Sequence, residues 1–278
     1  MMELWYSLLN CLPFEWLHFE FMKNALLAII LVSPIFALLG CLVINCQMSF
    51  FSDAIGHAAL AGIAIGTLAG LVNPLWAMIT FSFLLTLLVV LFKRYSKAST
   101  DTIIGLLMSF SVALGIVILS KYGGFNKYSK FLIGDILTIT PSEIMMLVCV
   151  LAVVVATWIF FFNKIFLVSL NKSLALSRGI QVWKIEFLFT LLVALVVTIC
   201  IQWVGLLVIN SLLILPAAAS KNISRNISQY TFFAVIFSVI SGIGGLIISY
   251  YAGTATGATI VLVAMAFFVA SFIIRLKK

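Results

Sequence analysis

The sequence predicts an all-α, polytopic membrane protein: a bundle of eight or nine transmembrane helices. Of its 278 residues, 64% are hydrophobic and 9% charged, where a soluble domain carries about a quarter charged. A soluble core could not hide that much apolar surface, so lipid must be the solvent for most of the chain. With about 17–25 apolar residues taken as one helical crossing of a bilayer, nine candidate runs recur at roughly 21–46, 53–72, 75–92, 103–120, 143–162, 186–201, 204–219, 231–251 and 257–275. The basic residues lie almost entirely between these runs. Two regions follow: an interfacial segment at 1–20 and a membrane domain over 21–278, with a protruding stretch at 163–185.

Taken in order, the first stretch, "ELWYSLLNCLPFEWLHFEF", has neither the basic flank nor the small-residue cleavage site of a secretory signal. Its mixture of Trp, Tyr and Phe with Glu3, Glu15 and Glu20 reads as an interfacial lead into the first span. His18 has no ionisable companion at ligand spacing and reads as solvated. Asn73-Pro74 separates the second and third runs, because proline breaks a continuing helix. The short sixth and seventh runs meet at "IQWVG", a tight turn.

Orientation follows from the basic loops. Lys93, Arg94 and Lys97 form one cluster; Lys164, Lys172, Arg178 and Lys184 a second; Lys221 and Arg225 a third; and Arg275, Lys277 and Lys278 the tail. With nine crossings all four fall on the cytoplasmic side, leaving only Lys23, Lys121, Lys127 and Lys130 elsewhere. The last three, in "KYGGFNKYSKFLIGD", oppose the rule, and eight crossings with one re-entrant segment is the alternative. The net charge of +8 therefore marks headgroup contacts and not a nucleic-acid partner. The five cysteines are scattered and odd in number, without a CxxC, so neither a disulfide framework nor a zinc-thiolate site is indicated.

Within 163–185, "LNKSLALSRGI" can form a short amphipathic helix with Gly179 as its stop. It reads equally as a connecting loop on the membrane surface or as a docking helix for a soluble partner.

Chemistry concentrates in "FFSDAIGHAALAGIAIGTLAG", where Asp53 and His57 stand one helical turn apart. Ala54, Ala58, Gly62, Gly66 and Gly70 repeat every four residues beside them, a spacing that lets another helix approach closely. One reading makes Asp53 an N-cap and His57 its hydrogen-bonded partner. The other makes them ligands, because ionisable groups inside a span ordinarily mark an ion path. A carboxylate oxygen and an imidazole nitrogen suit a borderline cation such as Zn²⁺, Mn²⁺ or Fe²⁺. Two ligands are too few for a structural site but suit a transient one, or half of a site shared across a two-fold dimer. Enzymatic motifs are missing: the sequence has no HExxH, GxSxG or Walker pattern, and "GGFNKYS" lacks GK[ST]. Energy from ATP would have to come through another subunit.

Six segments, "SDAIGHAALAGIAIG", "DTIIGLLMSFSVALGIVI", "FLIGDILTI", "LALSRGI", "VGLLVINSLLILPAAAS" and "GATIVLVAMAFFVAS", together resemble the membrane subunit of bacterial ABC importers for zinc, manganese or iron. The resemblance runs from about residue 25 to the C-terminus. It implies a multi-pass permease of the bacterial inner membrane, of the metal or chelate type, working as a homodimer in contact with lipid. Two cytoplasmic ATP-binding subunits and an extracytoplasmic metal-binding protein would be its partners. No resident cofactor is implied, only the transported divalent metal. The family's Asp-x-x-x-His metal motif falls on Asp53 and His57. Its cytoplasmic coupling helix falls on Asn171, Lys172, Ser173, Leu174, Ala175, Leu176, Ser177, Arg178 and Gly179. Its broken pore-lining helix falls on Leu215-Pro216, making Pro216 a path-lining candidate. Gly56 and Asn210 depart from the family pattern, and Asn210 adds a buried amide able to contact cargo. The alternatives are a permease for a metal chelate, such as a siderophore or cobalamin, and a gradient-driven metal carrier. The carrier would need a second intramembrane carboxylate, whereas Asp101, Asp135, Glu143 and Glu186 are placed at span ends.

Overall fold

The computed structural model describes residues 2–10, 13–68, 70, 74–122 and 135–277. Cys11, Asn73, Lys127, Lys130 and the first four residues of "FLIGDILTI" lie outside them. Among the described residues, nine helices are long and apolar enough to cross a membrane, as the hydropathy runs predict.

A short helix α1 (Met2–Asn10) and a 3-10 turn at Glu15–His18 precede the first of these, α2 (Glu20–Asn45). Then come α3 (Phe51–Leu68), α4 (Pro74–Tyr95) and α5 (Thr100–Tyr122). A 3-10 turn at Ile136–Thr138 leads into the 30-residue α6 (Pro141–Leu170), followed by the short α7 (Lys172–Ser177). The chain ends with α8 (Val182–Val204), α9 (Leu206–Ile223), α10 (Ile227–Ala252) and α11 (Thr256–Leu276). A helix satisfies its own backbone groups, which lipid cannot do, so continuous helix is the form such runs must take.

Two compact units divide the chain, one of residues 1–41, 135–158 and 203–278, the other of residues 42–134 and 159–202. In the first, close approach is bought with small residues. A Cβ on Gly40 would lie 1.8 Å from the Leu213 carbonyl oxygen, and one on Gly245 would lie 2.6 Å from Ile260 Cα. The Ser238 hydroxyl donates to the Ser33 carbonyl at 3.0 Å, fastening α10 to α2. At the N-terminal end, Trp5 Nε1 donates to the Lys23 carbonyl at 3.1 Å and the Tyr6 hydroxyl to Asn24 Oδ1 at 2.7 Å. The segment expected to be merely interfacial thus contains a helix pinned to α2, with Trp16 and Leu17 buried; His18 is exposed, as predicted.

In the second unit, α3 packs against α4 and α5 through its small residues. A Cβ on Gly62 would stand 2.9 Å from Ala77 O and Met78 Cα, and Gly115 of α5 meets the backbone of Ala61. Ser82 on α4 and Thr198 on α8 share a buried hydrogen bond of 2.8 Å. Cys41, Cys46, Cys149 and Cys200 are all free.

Three local readings change. Helix α3 begins at Phe51, so Asp53 is its third residue and cannot be the N-cap. Helix α9 runs unbroken through Pro216; α2 likewise contains Pro34, since neighbouring helices and local adjustment can accommodate proline within a membrane span. The turn between α8 and α9 narrows to a single residue, Gly205, at φ 86°, a left-handed conformation that glycine adopts without a Cβ penalty.

Candidate functional site

Ala54, Ala58, Gly62 and Gly66 are all buried on α3, as the four-residue repeat requires, while Gly70, the fifth member of that repeat, lies beyond the end of the helix and is exposed. Asp53 and His57 stand beside that stripe near the start of the same helix. Nε2 of His57 lies 3.8 Å from Oδ1 of Asp53, and their side chains are 30% and 33% exposed. That separation is longer than a hydrogen bond, whose heavy atoms sit about 2.7–3.2 Å apart. It is close to the spacing of two ligands on one ion: with zinc–ligand bonds of about 2.0–2.1 Å, a tetrahedral edge measures about 3.4 Å. A modest change of rotamer covers the difference. With each side chain about a third exposed, the pair is open to a third participant. Asp53 also sits in the first turn of α3, where the helix dipole favours a negative charge.

No group of three or more His, Cys, Asp or Glu side chains able to hold a metal exists among the described residues. Among the described residues, Asp53 and His57 are thus a pair of potential donors and not a complete ligand set. Asn210 and Pro216 both lie on α9, in the other unit, the first half-buried and the second buried. Two of the acids placed at span ends, Asp135 and Glu143, hold local turns. The Asp135 carboxylate accepts from Leu137 N at 3.0 Å, and that of Glu143 from Thr140 N at 2.7 Å.

The segment "LNKSLALSRGI" folds as the amphipathic pattern predicts. Asn171 caps α7, its side-chain oxygen accepting from Leu174 N at 3.0 Å. Beyond the helix, Gly179 turns the chain at φ 71°. Ala175 is buried while Leu174, Leu176 and Arg178 face outward. Two leucines are thus exposed on a capped, six-residue helix, on different sides of it.

One arrangement escaped the sequence reading. Oε1 of Glu186, on α8, receives Lys93 Nζ from the end of α4 at 3.4 Å and Lys172 Nζ from α7 at 3.0 Å. Glu186 is five residues into its helix and 93 residues from Lys93, so no local periodicity could announce the cluster. Two like-charged lysines placed in loop clusters were the only signal.

Comparison with known proteins gives a consistent picture. The sequence profile of the ABC 3 transport family matches residues 18–275. The high-affinity zinc uptake system membrane protein ZnuB of Haemophilus influenzae is 32% identical over 258 residues, covering 92% of this chain and 98% of that protein. The manganese import system permease protein ScaB of Streptococcus parasanguinis is 30% identical over 261 residues, 94% of this chain and 93% of its own length. Among solved structures, PsaBC from Streptococcus pneumoniae in complex with Fab superposes with a TM-score of 0.78 at 29% identity, covering 98% of this chain and 95% of that one.

Proposed function

Since the chain belongs to the ABC-3 transport family, and so is the multi-pass inner-membrane permease of a metal-importing ABC system, we propose that it carries zinc or manganese past Asp53 and His57. It is a transport subunit and not itself an enzyme. ATP is hydrolysed by a separate subunit, and an extracytoplasmic binding protein delivers the metal.

The observation that carries this reading is the Asp53–His57 pair, 3.8 Å apart and partly open on an otherwise small-residue helix. A hard oxygen and a borderline nitrogen hold a transition metal in preference to Ca²⁺ or Mg²⁺, which favour all-oxygen shells. The absence of thiolate keeps the ion exchangeable, as a path requires. Two ligands per copy fit a homodimer in which a second Asp53 and His57, or water, complete the shell. Asn210 and Pro216 on α9 remain candidates for lining the same route.

The cytoplasmic contact with the ATPase is assigned to Asn171 through Gly179. Leu174 and Leu176, at 44% and 62% exposure, offer apolar contacts from two sides of the helix, and Asn171 holds the helix in shape. Closure of the ATPases on ATP would push this helix and move the permease between outward and inward states.

Metal accumulation in cells expressing the whole transporter tests the reading. Asp53→Ala and His57→Ala, at wild-type membrane abundance and with the ATPase still attached, should each abolish accumulation of one metal when zinc, manganese and iron are measured together. Survival of uptake in both variants would remove the pair from the path.

A further inference from the structure

We propose that Glu186 is a positioning residue for coupling: it clamps the docking helix α7 to α4 and α8, so that movement of α7 reaches the helix carrying Asp53 and His57. The proposal rests on the assignment of α7 to ATPase contact. Its own basis is the ionic triad within the second unit. Both lysines approach the same carboxylate oxygen, Lys172 at 3.0 Å and Lys93 at 3.4 Å.

Exposure separates this triad from an ordinary surface pair. The side chains of Glu186 and Lys93 are each 17% exposed, and only Lys172, on the docking helix, is largely open at 56%. Fully solvated pairs contribute little because water screens them. Here two of the three charges are mostly covered, and removing the carboxylate would leave two cations facing each other in a place of reduced dielectric. Glu186 thus offsets the repulsion between the two lysines.

The triad also sits at a junction. A cleft beside Lys93 and Glu186 is lined by Cys46 and Met48 from the turn ahead of α3, by Ile165 and Val168 from the end of α6, and by Phe189 of α8. Met48 in turn accepts the backbone N–H of Phe51, the first residue of α3, at 3.0 Å. One cleft thus lies between Glu186, which holds α7, and the turn that leads into the helix bearing Asp53.

The test uses the complete transporter with its ATPase and binding protein in proteoliposomes, supplied with zinc or manganese, and reads metal uptake per ATP hydrolysed. In Glu186→Gln the ATPase should still copurify while the ratio falls about tenfold, within the ordinary range of coupling between sites. Glu186→Asp, which keeps the charge but withdraws it by one methylene, should lose less. Glu186→Lys combined with Lys172→Glu should recover part of what Glu186→Lys alone loses. A merely structural residue would lower the amount of protein without changing the ratio.

A wild-type ratio in Glu186→Gln, or a reversed pair no better than Glu186→Lys, overturns the clamp. If Glu186→Gln does not accumulate in the membrane, the ratio in Glu186→Asp decides, and a wild-type value again overturns it. Leu176→Asp tests the underlying assignment separately. Release of the ATPase by that variant upholds docking at α7, so that a normal ratio in Glu186→Gln then removes the clamp alone. Retention of the ATPase removes docking at α7 and the clamp with it.

Discussion

Adding one methyl group at Gly62 tests whether the helix bearing Asp53 and His57 is held by backbone-to-backbone contact. A Cβ there would meet Ala77 O and Met78 Cα at 2.9 Å, against about 3.5–4.0 Å for ordinary contact. Because both obstacles are main-chain atoms, α4 must retreat by about 0.6–1.1 Å, the difference between these distances. Overpacking of this kind costs about 1–3 kcal/mol. Replacing a helical glycine by alanine returns about 1 kcal/mol of helix propensity, so the net loss in Gly62→Ala is about 0–2 kcal/mol. Gly244→Ala provides the internal reference, since its Cβ would find only Val263 Cγ1 at 3.7 Å and should register the propensity gain alone. Gly245→Ala, facing Ile260 Cα at 2.6 Å, should be worst. The melting temperature of the purified transporter in detergent, followed by size-exclusion fluorescence, should rank Gly244→Ala first, then Gly62→Ala, then Gly245→Ala. Steps of a few degrees are expected, since each kcal/mol moves a chain of this size by about 2–4 °C. If Gly62→Ala melts together with Gly244→Ala, the close approach of α3 and α4 does not limit stability and the reasoning fails.

Two further outcomes follow from residues outside the spans. Burial raises the Cys46 thiol, in the turn after α2, to about 11 from an ordinary 9.0; the folded protein therefore favours the protonated form, and alkylation at pH 7.4 should run about a hundredfold slower than in the denatured chain. Peptide mapping by mass spectrometry should show that rate climbing about tenfold per pH unit as pH rises toward 11. Asn171→Ala removes the cap of α7 and should weaken that helix by about 1 kcal/mol, read as about fivefold faster hydrogen exchange at Leu174 with the spans unchanged.

Nearly all of the fold was legible, because long apolar runs without charges leave helix as the only form the backbone can take in lipid. The small-residue face of α3 was equally legible, since a period of four is local information. What stayed hidden depends on partners distant in sequence. Nothing in "ELWYSLLN" announces that Trp5 and Tyr6 bind Lys23 and Asn24, and without those bonds a nine-residue helix has little reason to persist. The start of α3 was placed two residues late because Phe51 and Ser52 carry no helix signal of their own, and that small shift decided whether Asp53 was a cap. Pro216 was read as a break because proline removes a local hydrogen bond; α9 nevertheless continues through it. Glu186 was set aside as a span-end acid because its two lysines come from separate loops.

The length of α6 places the membrane surface on the molecule. Thirty residues rise about 45 Å at about 1.5 Å each, while the hydrocarbon layer is about 30 Å thick. Tilting alone would need an angle near 50°, well beyond the usual range of about 0–40°, so part of α6 stands out of the oil. Counted from Pro141, about twenty residues fill the layer, which brings the boundary to the stretch "TWIFFFNK". Aromatic rings and a lysine mark such a boundary, and Lys164 Nζ lies 5.7 Å from the centre of the Phe161 ring. Ile165, Val168 and the cleft they help line fall beyond this line, at headgroup depth. The lysines there share their level with lipid phosphates, so the composition of the adjoining leaflet enters the competition for Lys172.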